Sequence, residues 1–205
     1  MTKGLQPRGC NAYYSPAPMM QPAIVQIGKV LVAEPFMMDP NFKRSAVLLC
    51  DHVDTEGSIG FILNKPLDTS IQELFDDFPD FETPVFFGGP VQMDTIHYLH
   101  AKGDLLENSL EVAPGVFWGG DFEKLKFLIR SALITPHEIR FFIGYSGWSE
   151  GQLMEEMNFG SWLLADMDAN YLFKTKPEQL WQSILQHKGR NFSVIAQMPE
   201  DFSWN

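Results

Sequence analysis

A chain of 205 residues, with 45% hydrophobic and 13% aromatic side chains, is long and apolar enough to bury one sizeable core. That excludes a disordered or solvating polymer. Against 15 basic residues stand 26 acidic ones, and the net charge of -11 removes the generic attraction to phosphate backbones, so direct DNA binding is not expected.

Residues 1–27 hold Pro7, Pro16, Pro18 and Pro22 and follow neither the helix nor the strand period; they read as a leader, with the domain proper at 28–205. Lys29 to Ala33 is a short β-branched strand, stopped by Glu34-Pro35. Ser45 to Cys50 and Ile59 to Leu63 are apolar runs joined by a polar segment, Asp51 to Gly57, which predicts a β-hairpin. Ser70, with Glu73 three residues on, caps a helix whose inner stripe is Ile71, Leu74, Phe75 and Phe78.

Val85 to Phe87 is a strand ended by Gly88-Gly89-Pro90, and Thr95 to Ala101 is another. After the short apolar run Val116 to Trp118, Asp121 caps a helix reaching Ala132, with Phe122, Leu125, Leu128, Ile129 and Ala132 inward. Ile139 to Ile143 reads as a buried strand, Gly144 to Trp148 as a turn, and Ser149 to Asn158 as a helix with Ser149 and Gln152 in capping-box relation. Trp162 to Ala165 and Tyr171 to Phe173 are predicted strands, Pro177 to His187 a helix, and Phe192 to Ala196 a closing strand. Strands outnumber helices without alternating strictly with them, which predicts a single α+β domain: a mixed sheet with a few covering helices, not a doubly wound parallel sheet.

Several segments, taken in order, resemble the YqgE/AlgH family. They are Val30 to Pro35, Asp39 to Ser45, Gly57 to Leu67, Gly88-Gly89-Pro90-Val91, Leu99-His100 and Gly144 to Glu156. The resemblance runs from about Gly28 to the C-terminus. It implies an α+β domain on a mixed, partly barrel-like sheet in a bacterial cytoplasmic protein, in a family labelled transcriptional regulators and lacking an established chemistry. The family pattern often has Leu-Glu where this chain has Leu153-Met154-Glu155, so any carboxylate role transfers to Glu155 or Glu156.

The candidate ligand contacts are polar or glycine-rich loop residues. Asn64 offers an amide donor and acceptor together, while Gly88, Gly89 and Pro90 allow close backbone approach. His100 could titrate near neutral pH. The Tyr145 to Glu155 segment offers Tyr145 and Trp148 as flat walls, loop amides at a helix start, and Gln152 and Glu155 as polar groups. Each also has an architectural reading, as cap, turn or rim.

Gly144-Tyr145-Ser146-Gly147-Trp148 departs from the nucleophile elbow at its last position, where a small residue is required. His97 and His100 lie three apart on a predicted strand and point to opposite faces, so no metal is expected, and the standard phosphate-binding glycine spacings are missing. No cofactor is called for.

Lys124, Lys126 and Arg130, and the C-terminal Lys174, Lys176, Lys188 and Arg190, are interrupted by acidic or apolar residues and read as solvated faces. Cys10 and Cys50 form no pair by spacing, and the chain shows neither a signal-type start nor an apolar stretch of about 18 residues. A cytoplasmic location without membrane attachment is the expectation. Functionally the chain reads as a non-catalytic regulatory or binding protein with a protein or small-molecule partner. The alternative is a small-molecule hydrolase using Asn64, His100 and the Tyr145 to Glu155 loop, with His100 or Glu155 as base.

Overall fold

Solid apolar runs in the early strands require cover on both faces, and the computed structural model, which describes residues 24–188, supplies it. Strand β1 (Lys29–Ala33) turns Val30 and Val32 to one core and Leu31 and Ala33 to another. Strand β2 (Ala46–Val53) does the same, with Ala46, Leu48 and Cys50 on the first side and Val47 and Leu49 on the second. It pairs antiparallel with β3 (Gly57–Ile62) through a bulge between Leu49 and Asp51. The predicted hairpin is present, although its strands run further into the polar segment and leave only residues 54–56 to turn.

Strand β4 (Pro66–Ser70), which the sequence did not announce, precedes the single-turn helix α1 (Ile71–Leu74), where Ser70 and Glu73 form the capping box. Ile71 and Phe78 are buried, but α1 is too short to carry a stripe and Leu74 is exposed. The chain continues through β5 (Pro84–Phe87), β6 (Val91–His100), the unforeseen β7 (Leu110–Ala113) and β8 (Val116–Trp118). Helix α2 (Phe122–Arg130) is capped by Asp121, whose side chain accepts from the Lys124 N–H. Ala132 falls beyond the helix in a left-handed turn and is exposed.

Strand β9 (Ile139–Trp148) corrects the predicted turn: the chain stays extended through Gly144 to Trp148. Gly144, at φ 62°, marks a bulge that resets the side-chain alternation, so that Phe142 and Tyr145 face one core while Ile143 faces another. Helix α3 (Gln152–Asn158) follows, then β10 (Trp162–Asp166), α4 (Ala169–Phe173) and α5 (Pro177–His187). The segment Tyr171 to Phe173 is thus helical, held at its start by the Asp168 cap, and not a strand. The predicted strand Phe192 to Ala196 and the leader up to residue 23 lie outside the described residues.

These elements make a single α+β domain: a curled, half-barrel sheet of ten strands with five helices among the described residues. The strand order is β10-β1-β2-β3-β9-β6-β8-β7, antiparallel throughout, with β5 joining β9 in parallel and β4 pairing β5. Three cores fill the space between sheet and helices. Leu180, Trp181, Ile184 and Leu185 of α5 cover one face, Leu125, Leu128 and Ile129 of α2 another, and Leu153 of α3 packs with Trp148 and Trp162 on a third.

Strand β9 holds the two halves together. Along one edge, β5 pairs with Phe141–Ile143 and β3 takes over from Ser146 to Trp148. The exchange occurs at Gly88, whose N–H donates to Ile143 O (2.8 Å) and whose carbonyl accepts from Ile62 N–H (3.0 Å) and the Ser146 hydroxyl (2.9 Å). A methyl group on Gly88 would lie 2.2 Å from Gly144 O, so Gly88→Ala is expected to destabilise by about 3 kcal/mol. Gly115→Ala, which meets no neighbour within 4 Å and bears only the cost of φ 71°, should lose about 1 kcal/mol. Urea unfolding of the two variants measures the contrast.

Candidate functional site

The loop residues singled out from sequence are distributed along β9, not gathered around one point. Tyr145 and Trp148 line a concavity of about 390 Å³ with Asp51, Glu56, Ser58 and Val91. A second, of about 290 Å³, shares Val53, Gly57 and Ser58 with the first and is completed by His52, Asp54, Ser149, Gly151 and Met154. Asn64 lies elsewhere, in a cleft of about 270 Å³ with Lys43, Lys65 and Glu178. His100 pairs with Ile139 at the start of β9, seven residues and roughly 20 Å of strand from Ser146.

Local bonding explains why each polar candidate sits where it does. The Asn64 amide accepts from Ala46 N–H (2.9 Å) and donates to Arg44 O (2.9 Å), while the Lys65 ammonium donates to Pro40 O and Asn41 O; together they fasten the loop before β2. Gly89, at φ 151°, approaches the Tyr145 and Ser146 backbone so closely that an added methyl would lie 2.3 Å away. The near approach that Gly88 and Gly89 permit is thus of the protein's own strand. Pro90 is exposed beside them.

His100 is fully buried and its protonation state follows from its partners. Lys102 N–H donates to Nδ1 (3.1 Å), so Nδ1 carries the lone pair and Nε2–H donates to Gly119 O (3.0 Å). Burial lowers its pKa, the Gly119 bond opposing in part. The lone pair a base would use is already engaged. His97, on the opposite strand face, packs against Phe61, Trp118 and Tyr145, and burial lowers its pKa as well.

The predicted capping box of α3 is one residue pattern realised differently. Gly151, at φ 74°, is the N-cap, and the Gln152 carbonyl reaches back to accept from both Ser149 N–H and Ser149 Oγ–H (3.1 Å each). The Ser149 amide is therefore occupied. Ser146 is fully buried with its hydroxyl on Gly88 O, and Glu155 is exposed. The hydrolase reading thus gains no support from the geometry.

Glu156 organises this end of the molecule. Its Oε2 accepts from the indole N–H of Trp148 (2.9 Å) and of Trp162 (2.7 Å), and Oε1 accepts from the Gln152 amide (3.0 Å). Phe42 packs on both indoles, which lie 6.0 Å apart and edge-on. Sequence reasoning placed Glu156 only as an alternative to Glu155; the helical offset of four from Gln152 was the available signal. It missed Asp51, His52, Asp54, Glu56 and Ser58 as lining residues because a hairpin's polar segment reads as simple turn chemistry.

His52 Nδ1 lies 2.8 Å from Ser58 Oγ, and Nε2 lies 3.1 Å from Asp54. This chain of bonds ties the hairpin tip across its directly opposed pair His52 and Ser58. Among the described residues no Lys or Arg lines either adjoining concavity, whereas Asp51, Asp54 and Glu56 do. Among the described residues no three His, Cys, Asp or Glu side chains form a metal cluster, and no helix is long and apolar enough to cross a membrane.

Two of the three basic residues on α2 are held at Asp77. Lys126 is buried and bonds Asp77 (2.7 Å) and Glu123 (2.6 Å), and Arg130 donates to Asp77 O. Cys50 is a buried free thiol whose pKa is pushed up by desolvation and by Asp51.

Residues 30–193 match the family model described as AlgH-like, DUF179. A UPF0301 protein of Chlorobaculum parvum is 45% identical over 177 residues, covering 86% of this chain and 94% of the relative. One from Cytophaga hutchinsonii is 39% identical over 175 residues, covering 85% and 96%. The solution structure of the AlgH protein from Pseudomonas aeruginosa superimposes with a TM-score of 0.67 at 27% identity, covering 88% of this chain and 98% of that one. Protein DIP2367 from Corynebacterium diphtheriae shares the fold, with a TM-score of 0.72 at 21% identity over 87% of this chain and 95% of that one.

Two outcomes test the local reading. Glu156→Ala strands two indole donors and should cost about 2 kcal/mol in urea unfolding, with a change in tryptophan emission. For His100 and His97, folded pKa values below the unfolded 6.5 mean that the unfolded chain binds more protons. Their stabilisation is complete above pH 6.5 and declines as pH falls through the lowered folded values. The urea midpoint should therefore drop between pH 7.5 and 5.5, and His100→Gln should retain only the His97 part of that drop.

Proposed function

This chain belongs to the AlgH-like family, and from that premise we propose that it is a non-catalytic regulatory or binding protein of the cytoplasm. It acts by receiving a cationic group of a protein or small-molecule partner in the paired concavities beside the β2–β3 hairpin. The observation that carries the reading is their lining: carboxylates of Asp51, Asp54 and Glu56, the half-buried ring of Tyr145, and, among the described residues, no Lys or Arg. Carboxylates attract a cation and aromatic faces hold one, so the two residue types act in the same direction. Of the two partner classes a protein fits better, because the concavities are open and contiguous and the rim carries exposed Val53 and Met154.

Direct DNA binding finds little to rest on in a chain of net charge -11 in which Lys126 of α2 is engaged by Asp77 and Glu123. The test is a thermal-shift screen with polyamines, arginine amide and Lys/Arg-rich peptides. The expected result is stabilisation by at least one of them, weakened at least tenfold in apparent affinity by Asp51→Asn with Glu56→Gln and by added salt. Absence of any shift, or a shift that the double variant leaves intact, overturns the proposal.

A further inference from the structure

We propose that Arg140 forms the anion-binding floor of a second site, at the opposite end of β9, which takes a small carboxylate carrying an apolar group. Arg140 is the second residue of β9 and only 9% exposed. Its guanidinium carbon lies 4.3 Å from the Phe86 ring centroid, and Nη1 donates to Leu63 O at 2.7 Å. A guanidinium has five N–H donors, and among the described residues neither a carboxylate nor a second acceptor meets the other four. Burial pulls its pKa down to about 10, which leaves the group charged at neutral pH.

A charge this buried is ordinarily paired, because desolvating it without a counter-ion costs several kcal/mol. The remaining guanidinium nitrogens are not sealed off, and Arg140 lines a concavity of about 170 Å³. Phe86, Ile139, Leu172 and Phe173 supply its apolar walls, and Thr83 and His137 its other polar groups. One cation in an apolar surround matches a monoanion with an apolar body; a phosphate dianion would demand further donors. A carboxylate also meets the guanidinium with two parallel hydrogen bonds. The volume is below the several hundred Å³ that hold drug-sized ligands, which points to short acids of the size of isovalerate or benzoate.

This site is separated from the hairpin residues of β9, Tyr145 to Trp148, by five to eight residues, roughly 17–26 Å of strand. It stands or falls independently of the function proposed above. The test is calorimetric titration of the full chain with benzoate, its neutral isostere benzamide, and inorganic phosphate. Saturable benzoate binding is expected, with benzamide and phosphate each at least tenfold weaker.

Arg140→Gln should weaken benzoate at least tenfold, and Asp51→Asn with Glu56→Gln should leave it unchanged. The proposal is overturned if benzoate shows no saturable binding up to about 10 mM, weaker than a charge-assisted contact of even modest affinity gives. Equal binding of benzamide or phosphate, or full binding by a folded Arg140→Gln chain, overturns it too. Should that variant fail to fold, the comparison of benzoate with benzamide on the unaltered chain still decides.

Discussion

The fold depends on one backbone crossing, where β5 leaves the edge of β9 and β3 takes its place. Gly88 makes this possible by bonding to three partners and leaving no room for a side chain between itself and Gly144. Because β9 also pairs with β6 along its other edge, the crossing fixes the relation between the parallel pair β5·β9 and the antiparallel remainder of the sheet. The Gly144 bulge then decides which side chains of β9 reach which core. The position of Tyr145 and Trp148 beside the hairpin is a consequence of that bulge.

Once the strands are placed, most polar groups of the glycine- and asparagine-rich loops have partners inside the molecule. Asn64, Ser146, His100 and Gln152 each complete a backbone or side-chain bond that the local fold needs. What stays available lies at the two ends of β9 and differs in sign. The hairpin end presents carboxylates beside the half-buried Tyr145 ring, whereas the other end presents a buried guanidinium among apolar walls. Opposite charges at the ends of one strand are suited to two unlike ligands.

The α+β class, the first hairpin, α2 with its Asp121 cap and α5 with Pro177 in its first turn were legible because hydrophobic period and helix-start residues agree. Gly144 was legible as an irregularity but misled as to its kind: a glycine at positive φ suits a turn and a bulge equally, and only pairing on both edges of β9 selects the bulge. Tyr171 to Phe173 carries strand-forming residues, yet the Asp168 cap and the packing of Leu172 make it helical, tertiary context overriding a weak preference. Arg140 gave no signal at all, since a single basic residue inside an apolar run looks the same whether it is exposed at an edge or buried against Phe86. The hairpin carboxylates were invisible as a group for a related reason: cross-strand register, not sequence distance, sets them beside Trp148.

The pairing of β1 with β10 has a consequence for synthesis on the ribosome. Val32 finds β2 almost at once, but its other neighbour, Leu163, emerges about 130 residues later. Until then the nascent chain presents an uncovered edge, apolar from Val30 to Ala33, of the kind that recruits foreign strands. Prompt synthesis through β10, or shielding by a chaperone, would shorten the interval in which that edge is open.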